Sequence, residues 1–142
     1  MNLNVSPYND DYNPLNRYMQ LLAVPGRGIQ AREFTQIQSL LKDLLSRATD
    51  TLYKDGSIIS GMGFSIVGNT LTIEDGKVYL NGAIHIFNKQ SIAITKSGTE
   101  YIGAIIEDTV ITELEDIAFR DPAQGFANYN QPGCHRLKQL VS

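Results

Sequence analysis

The spacing of apolar residues changes at Gly56, and this change divides the chain into two kinds of structure. Between about Gln30 and Gly56, apolar residues recur every three or four positions, which is the period of a helix with one apolar face. After it they recur every second position in short runs, which is the period of a strand. The sequence therefore predicts an α+β fold: an extended N-terminal arm, one long amphipathic helix, and a small antiparallel β meander that forms a barrel or sandwich.

Four stretches are predicted along the 142 residues: a docking arm at 1–25, a turn and amphipathic helix at 26–56, an antiparallel β domain at 57–120, and a loop with a terminal strand at 121–142. A chain of this length has material for one core of ordinary size. The last strand, at 136–141, stops early. That end suggests a longer parent polypeptide or a strand completed by another chain.

The helix is predicted from about Gln30 to Tyr53, a stretch without Gly or Pro. Glu33 falls in the first turn, where the helix dipole favours an anion, and Asp55-Gly56 supplies a stop. The stripe predicted to join copies of the helix is Phe34, Ile37, Leu41, Leu44 and Ala48. Its spacing is that of a coiled-coil seam but covers only about two heptads. An intramolecular core therefore explains the stripe as well as an oligomer does.

The arm has no helical or strand period, and Pro7, Pro14 and Pro25 each bias the preceding residue away from helix. Its apolar and aromatic content is too high for an ordinary disordered tail. We therefore expect the arm to lie along a surface, either of its own domain or of a neighbouring subunit. The residues predicted to bind a partner are Tyr8, Tyr12, Leu15, Tyr18, Leu21 and Leu22.

Short strands follow Gly56, and turn-forming dipeptides separate them. Asp75-Gly76 and Asn81-Gly82 favour type I′ hairpin turns, and Ser97-Gly98 marks a further turn. The predicted strands include 64–67, 71–73, 78–80, 83–87, 91–95 and 101–106.

Composition excludes several classes of partner. The net charge is -3 and the 12 Lys and Arg residues are scattered, so the basic patch of a nucleic-acid-binding protein is missing. The start has no basic n-region or apolar h-region of a secretory signal, and no apolar run reaches membrane-spanning length. We therefore expect no nucleic acid and no membrane among the partners. Cys134 is the one cysteine, so neither an internal disulfide nor a Cys-based zinc site can form.

Residues suited to catalysis are few. His85 lies between two isoleucines in a predicted strand, which favours a solvent-facing or hydrogen-bonded histidine over a catalytic base. Cys134 and His135 are adjacent, and adjacent strand residues point to opposite faces, so they make a poor thiolate-imidazolium pair. Gly26-Arg27-Gly28 lacks the Walker lysine, and a turn before the helix explains it fully. Exposed Arg27 and Arg32 are candidates for binding an acidic surface.

An acidic segment near the end of the chain is the remaining candidate for a ligand site. Its carboxylates match no EF-hand spacing, so a solvated acidic face is the expectation and a structural cation the alternative. They are Asp108, Glu113, Glu115, Asp116 and Asp121. No cofactor is predicted.

Several segments together resemble a phage protein family. They are 14–18, 24–28, 29–38, 82–86, the I-T-x-x-x-D step at 111–116, and D-P-A-x-G-x-x-N-Y-x-x-P-G at 121–133 followed by Arg136-Leu137. The family is a domain of uncharacterised function at the N-termini of tail-fibre and baseplate-associated proteins of tailed phages. Cys134-His135 departs from it, standing where the family more often has Ala and an acidic residue.

The resemblance implies a structural virion protein, made in the host cytoplasm and located in the tail, with no catalytic residues. Its N-terminal region would attach to the baseplate or other tail proteins, and because most fibres are threefold a homotrimer is expected. The alternative is a receptor- or carbohydrate-binding β domain, which would need a cluster of exposed aromatics such as Tyr79, Tyr101 and Tyr129. A polysaccharide-cleaving enzyme would need paired carboxylates such as Glu113 and Glu115.

Overall fold

The structure, a computed structural model, describes all 142 residues and contains one α-helix. Helix α1 spans Ala31–Thr49. At its N-terminus the Glu33 carboxylate accepts a hydrogen bond from the backbone N–H of Gln30 at 2.7 Å. This interaction closes the first turn and places an anion where the helix dipole favours one. The predicted amphipathic helix, with Glu33 in its first turn, is confirmed.

The helix ends earlier than the predicted stop. Thr49 Oγ1 donates to the carbonyl of Leu45 at 3.0 Å, and Thr51 Oγ1 donates to the carbonyl of Ala48 at 2.7 Å. Hydroxyls at these positions compete with backbone N–H groups for the last helical carbonyls, which favours a turn over another helical residue. The prediction that Asp55-Gly56 ends the helix is therefore wrong.

Eight strands form three small antiparallel sheets and no closed barrel, which confirms the α+β class. The sheets have the strand orders β1-β4-β5, β2-β3-β6 and β7-β8. The strands are β1 Ser57–Gly61, β2 Phe64–Val67, β3 Thr70–Ile73, β4 Gly76–Leu80, β5 Ala83–Phe87, β6 Gln90–Ala93, β7 Ile106–Ile111 and β8 Arg136–Val141.

Two of the tight turns join neighbouring strands. Asn81 and Gly82 have φ of 49° and 78°, the positive pair that a type I′ turn requires, and they connect β4 to β5 as predicted. Gly68, with φ of 58°, begins the turn between β2 and β3. Gly tolerates this conformation because it has no Cβ.

The predicted hairpin at Asp75-Gly76 is wrong, because β3 and β4 belong to different sheets. Other segments satisfy the polar groups of Asp75. Its carboxylate accepts from the backbone N–H of Lys89 at 2.6 Å, and its carbonyl accepts from that of Met62 at 3.0 Å. The chain therefore passes from one sheet to the other at this point.

The strand predicted at 101–106 is also wrong, since no strand lies between β6 and β7. The preceding residues form a closed turn instead. The Glu100 carboxylate accepts from the backbone N–H of Thr95 at 2.8 Å and from the Thr95 hydroxyl, and these bonds hold the pKa of Glu100 below its usual value. Lys96 and Gly98 have positive φ, so Ser97-Gly98 turns the chain without making a hairpin of β6 and β7.

The final strand is paired within the chain. β8 runs antiparallel to β7 in unbroken register from Ile106 opposite Val141 to Ile111 opposite Arg136. Ile105 and Ser142 extend the ladder by exchanging backbone hydrogen bonds of 2.8 and 3.0 Å. The expectation that another chain completes this strand is thus corrected: β7 supplies the partner.

The segment before β8 is shaped by its own side chains. The Asp121 carboxylate accepts from the backbone N–H of Ala123 at 2.8 Å, and Gly133 N–H donates to the carbonyl of Phe119 at 2.9 Å. The Arg136 guanidinium lies 4.8 Å from the centre of the Phe119 ring. The motif residues of this segment therefore fix the course of the backbone that leads into β8.

Contacts divide the chain into two compact units. The first comprises residues 1–61 and 77–85, and its buried apolar residues are Leu40, Val78 and Tyr79. The second comprises 62–76 and 86–142, and its buried apolar residues are Leu71, Phe87 and Val141. Because each unit buries so few apolar residues, many large apolar side chains are exposed in both. The one helix is not long and apolar enough to cross a membrane.

Candidate docking surface on the arm and helix

The beginning of the arm is fastened to its own helix by polar side chains. Asp10 is buried, at 8% exposure, and its carboxylate accepts from Ser39 Oγ at 2.5 Å. Tyr12 Oη donates to Asp43 Oδ2 at 2.8 Å, and Asp43 also pairs with Arg47 at 2.6 Å. Burial first, and then the bond to Asp43, raises the pKa of Tyr12. These contacts hold 10–12 along α1.

Asp11 makes the third attachment. Its carboxylate accepts from the Gln36 amide and lies 3.4 Å from Arg32 Nη1. Arg32 Nε also donates to Gln30 Oε1 at 2.6 Å. Arg32, proposed from the sequence as a site for an acidic partner, therefore pairs with an acid of its own chain.

The second part of the arm is far more exposed. A short 3-10 turn at Pro14–Asn16 is capped by the Asn13 side chain, which accepts from Leu15 N–H at 2.9 Å. Beyond it, residues 18–23 make no backbone hydrogen bond. The exposed fractions are 84% for Leu15, 66% for Tyr18, 61% for Met19 and 76% for Leu22. This part of the arm offers apolar side chains and free backbone groups to a neighbour.

The arm and the apolar stripe use opposite faces of α1. At about 100° per residue, the two sets of positions lie nearly half a turn apart around the helix axis. The residues that hold the arm are Arg32, Gln36, Ser39 and Asp43. The uncovered residues, called here the exposed stripe, are Phe34, Ile37, Leu41, Leu45 and Ala48. Because the arm lies on the other side, it cannot cover the exposed stripe.

Exposure in the stripe is high for such large side chains. Phe34 is 59% exposed, and Leu41 and Leu45 are each 58% exposed. Leu44, named in the predicted stripe, is half-buried, while Leu40 is buried at 5% and faces the interior of its unit. The helix thus contributes Leu40 to the core, half-buries Leu44, and leaves most of its other large apolar side chains exposed.

A groove of about 330 Å³ separates the arm from α1. Half of its lining residues are acids or amides, of which Asp11 and Gln36 bond to each other, and the others are apolar or aromatic. They are Asp11, Tyr12, Asn16, Tyr18, Gln20, Leu21, Gln36 and Leu40. Of the predicted arm contacts, Tyr12, Tyr18 and Leu21 therefore line this groove within the chain, although Tyr18 keeps 66% of its surface exposed, whereas Leu15 and Leu22 face solvent. Tyr8 is half-buried.

The histidines have ordinary surroundings. His85 lies on β5, with Nε2 3.1 Å from the carbonyl oxygen of Leu80, in agreement with the hydrogen-bonded histidine predicted there. His135 Nε2 lies 3.7 Å from Glu113 Oε2. Cys134 is exposed and precedes β8, so it is outside the strand assumed for it from the sequence.

The acidic residues of the last segment are used separately. Glu115 accepts from the Thr112 hydroxyl and from its backbone N–H at 2.8 Å, and these bonds lower the pKa of Glu115. Asp108 accepts from the Gln139 amide at 2.8 Å, and Asp116 caps a short 3-10 turn. No group of three or more His, Cys, Asp or Glu side chains is placed to hold a metal ion.

Sequence reasoning missed a junction at the C-terminal end of α1. Tyr79 has no exposed surface; its hydroxyl lies 2.7 Å from Thr49 Oγ1 and donates to Asp50 Oδ1 at 2.7 Å. The Tyr53 and Tyr79 rings lie 5.4 Å apart. Burial above all raises the pKa of Tyr79. The polar residues at 49–51, which follow the apolar stripe of the helix, were the one sequence feature that indicated this junction.

This burial also removes Tyr79 from the aromatic cluster that a carbohydrate-binding surface would need. Tyr101 and Tyr129 are 94% and 47% exposed, but they lie in separate connecting segments. No ring contact joins them.

Fold and surface together define a class: an α+β chain of small sheets whose helix and arm leave an apolar surface uncovered. A family model described as Domain of unknown function (DUF4815) matches residues 6–142, so the chain belongs to that family. No curated protein matches the chain. No solved structure matches it either.

Proposed function

We propose that this chain is a non-enzymatic structural virion protein, the N-terminal attachment and oligomerisation module of a phage tail fibre or baseplate component. One observation carries the proposal: the exposed stripe lies on the face of α1 opposite the arm, and no part of its own unit covers it. Large contiguous apolar surfaces on soluble proteins mark sites of association.

Copies of the same helix are the partner that best fits the stripe. Phe34, Leu41 and Leu45 are each more than half exposed, so covering them would stabilise an oligomer by about 1 kcal/mol per side chain. Phe34, Ile37 and Leu41 follow one another at intervals of three and four positions, which suits knobs-into-holes packing between helices. A homotrimer follows from the resemblance to fibre proteins, which are mostly threefold.

The arm has two roles in this proposal. Its first part, fixed by Asp10 and Tyr12, sets the direction in which the chain leaves α1. Its second part, with Leu15, Tyr18 and Leu22 exposed, docks on the baseplate or another tail protein. The location of the protein would then be the virion tail, after synthesis in the host cytoplasm.

Incorporation into virions tests the attachment role. Replacing Leu15, Tyr18 and Leu22 together by Ser should remove the protein from purified particles, as measured by quantitative mass spectrometry, while its folding is retained. Tyr101→Ser, at a residue 94% exposed outside the arm, is the matched control and should incorporate normally. Normal incorporation of the triple variant would refute docking through the arm.

A further inference from the structure

Strand β2 (Phe64–Val67) forms one edge of the β2-β3-β6 sheet, and all four of its residues are exposed. Phe64 is 75% and Val67 77% exposed. The strand contains no charged residue and no proline, and Gly63 and Gly68 flank it. Natural edge strands are usually protected by charges, proline or a covering segment, because their free backbone groups recruit other strands. This edge has no such protection.

The backbone groups free at this edge can be identified from the register. Gly63 O accepts from Glu74 N–H at 2.8 Å, so Gly63 faces β3. Antiparallel hydrogen-bonded pairs alternate along a strand, so Ser65 and Val67 also face β3. Phe64 and Ile66 therefore present their N–H and C=O groups to the outside.

The same two residues carry two of the three apolar side chains of β2, and the third, Val67, lies on the opposite face with Ser65. The pairing of Phe64 with Ile73 and of Ile66 with Leu71 places all four on one face of the sheet. Ser65 lies on the opposite face with Thr72 and Ser91, whose hydroxyls are 3.0 Å apart. The free hydrogen-bonding groups and the apolar face of β2 thus belong to the same residues.

We propose that β2 pairs antiparallel with β2 of a second copy of this chain, about a twofold axis through Ser65. Phe64 then lies opposite Ile66 of the second copy, and Ile66 opposite its Phe64. Each of these pairs exchanges two backbone hydrogen bonds, which satisfies every free N–H and C=O of Phe64 and Ile66. The result is one six-stranded sheet whose apolar face continues across the axis.

The other edge of the sheet does not fit as the partner. Asn69 O accepts from Ile94 N–H at 2.8 Å, so Ile92 faces β3 by alternation, and the free groups of β6 lie on Ser91 and Ala93. Those residues belong to the polar face. Pairing β2 with β6 of another copy would join the apolar face of one sheet to the polar face of the next.

This contact is separate from the α1 contact of the proposed function and does not depend on it. The two contacts use different residues, so both can form in one assembly. Four hydrogen bonds and two apolar pairs make a small interface, which suits detection by covalent trapping.

Disulfide trapping tests the pairing. In a Cys134→Ser background, Ser65→Cys places two thiols on the axis in a non-hydrogen-bonded pair, where Cα atoms lie about 4.5 Å apart, a distance that a disulfide spans. Mild oxidation of the full chain should convert it to a covalent dimer. Ser91→Cys, on the same face at the other edge, is the matched control and should remain monomeric on a denaturing gel. Any other result for this pair of variants overturns the proposal.

A second measurement separates this proposal from the proposed function. In the Ser65→Cys, Cys134→Ser chain, adding Ile66→Lys puts a charge on the edge of the sheet and should abolish disulfide trapping. Adding Leu41→Glu and Leu45→Glu on α1 instead should leave trapping intact. Ile84→Lys, an equivalent change at a residue 49% exposed on β5, controls for the added charge. Trapping that survives Ile66→Lys contradicts pairing through β2, whatever the helix variants do.

Discussion

The hydroxyl of Tyr12 donates a 2.8 Å hydrogen bond to the carboxylate of Asp43, which lies 31 positions later in the chain. Asp43 is on the face of α1 opposite the exposed stripe. This bond is one of three attachments that keep the first part of the arm on its own helix. Their polar character leaves the apolar residues of the arm and helix available for other contacts.

Tyr12→Phe should loosen the arm without unfolding the helix. Loss of one half-buried hydrogen bond costs about 1 kcal/mol, so limited proteolysis within residues 13–25 should become faster by roughly fivefold. Tyr18→Phe is the same chemical change at a tyrosine 66% exposed and should leave the cleavage rate unchanged. Equal protection in both variants would mean that the bond to Asp43 does not hold the arm.

Stability at alkaline pH should depend on Tyr79. Its pKa is raised above 10.0, chiefly by burial, so the folded state favours the neutral phenol. The stabilisation is fully present below pH 10.0 and is lost as the pH rises through the folded pKa. The free energy of unfolding, measured by urea titration, should fall above pH 10.0 in the wild type and should fall less in Tyr79→Phe. Tyr12→Phe is needed alongside, because the pKa of Tyr12 is raised too.

Gly82→Ala should destabilise the chain more than Gly56→Ala. Both glycines have positive φ, 78° and 86°, so each substitution costs about 1–2 kcal/mol of backbone strain. At Gly82 the new Cβ would also overlap the Ser46 side chain on α1, whereas at Gly56 it meets nothing within 4 Å. Thermal denaturation should therefore show a clearly larger loss for Gly82→Ala. Equal losses would place the helix end farther from the β4–β5 turn than the structure has it.

Glu115 should contribute to stability above its unfolded pKa. Hydrogen bonds from the Thr112 hydroxyl and backbone N–H lower the pKa of Glu115 below 4.5, so the stabilisation is present above pH 4.5 and is lost as the pH falls through the folded pKa. Glu115→Gln should reduce this acid dependence, as followed by circular dichroism, and Glu107→Gln at an exposed strand position is the control.

Much of the fold could be predicted from periodicity. The change of period at Gly56 separated the helix from the strands, and β2 and β5 were placed at their observed bounds. Asn81-Gly82 was a reliable hairpin because its turn depends only on two local φ angles.

Asp75-Gly76 has the same residue chemistry but fails, because the distant backbone groups of Met62 and Lys89 bond to Asp75 and direct the chain to another sheet. Local patterns carry no information about such nonlocal contacts. The strand expected at 101–106 failed for a related reason: β8, over twenty residues later, pairs instead with the segment that begins at Ile106.

The candidate surface was predicted only in part. Spacing identified the apolar stripe, but not that Leu40 turns inward while Leu45 stays exposed. Proline and tyrosine content identified the arm, but the attachment of Asp10 to Ser39 depends on a polar match that no periodicity encodes.

Sedimentation of the full chain at micromolar concentration tests most directly whether other copies cover the exposed stripe of α1. We expect a mass that is a multiple of three chains of 15.7 kDa, and loss of that threefold association in the Leu41→Glu, Leu45→Glu variant but not in Lys42→Glu. A wild-type chain that sediments as a single 15.7 kDa species, identical to the double variant, would contradict this expectation.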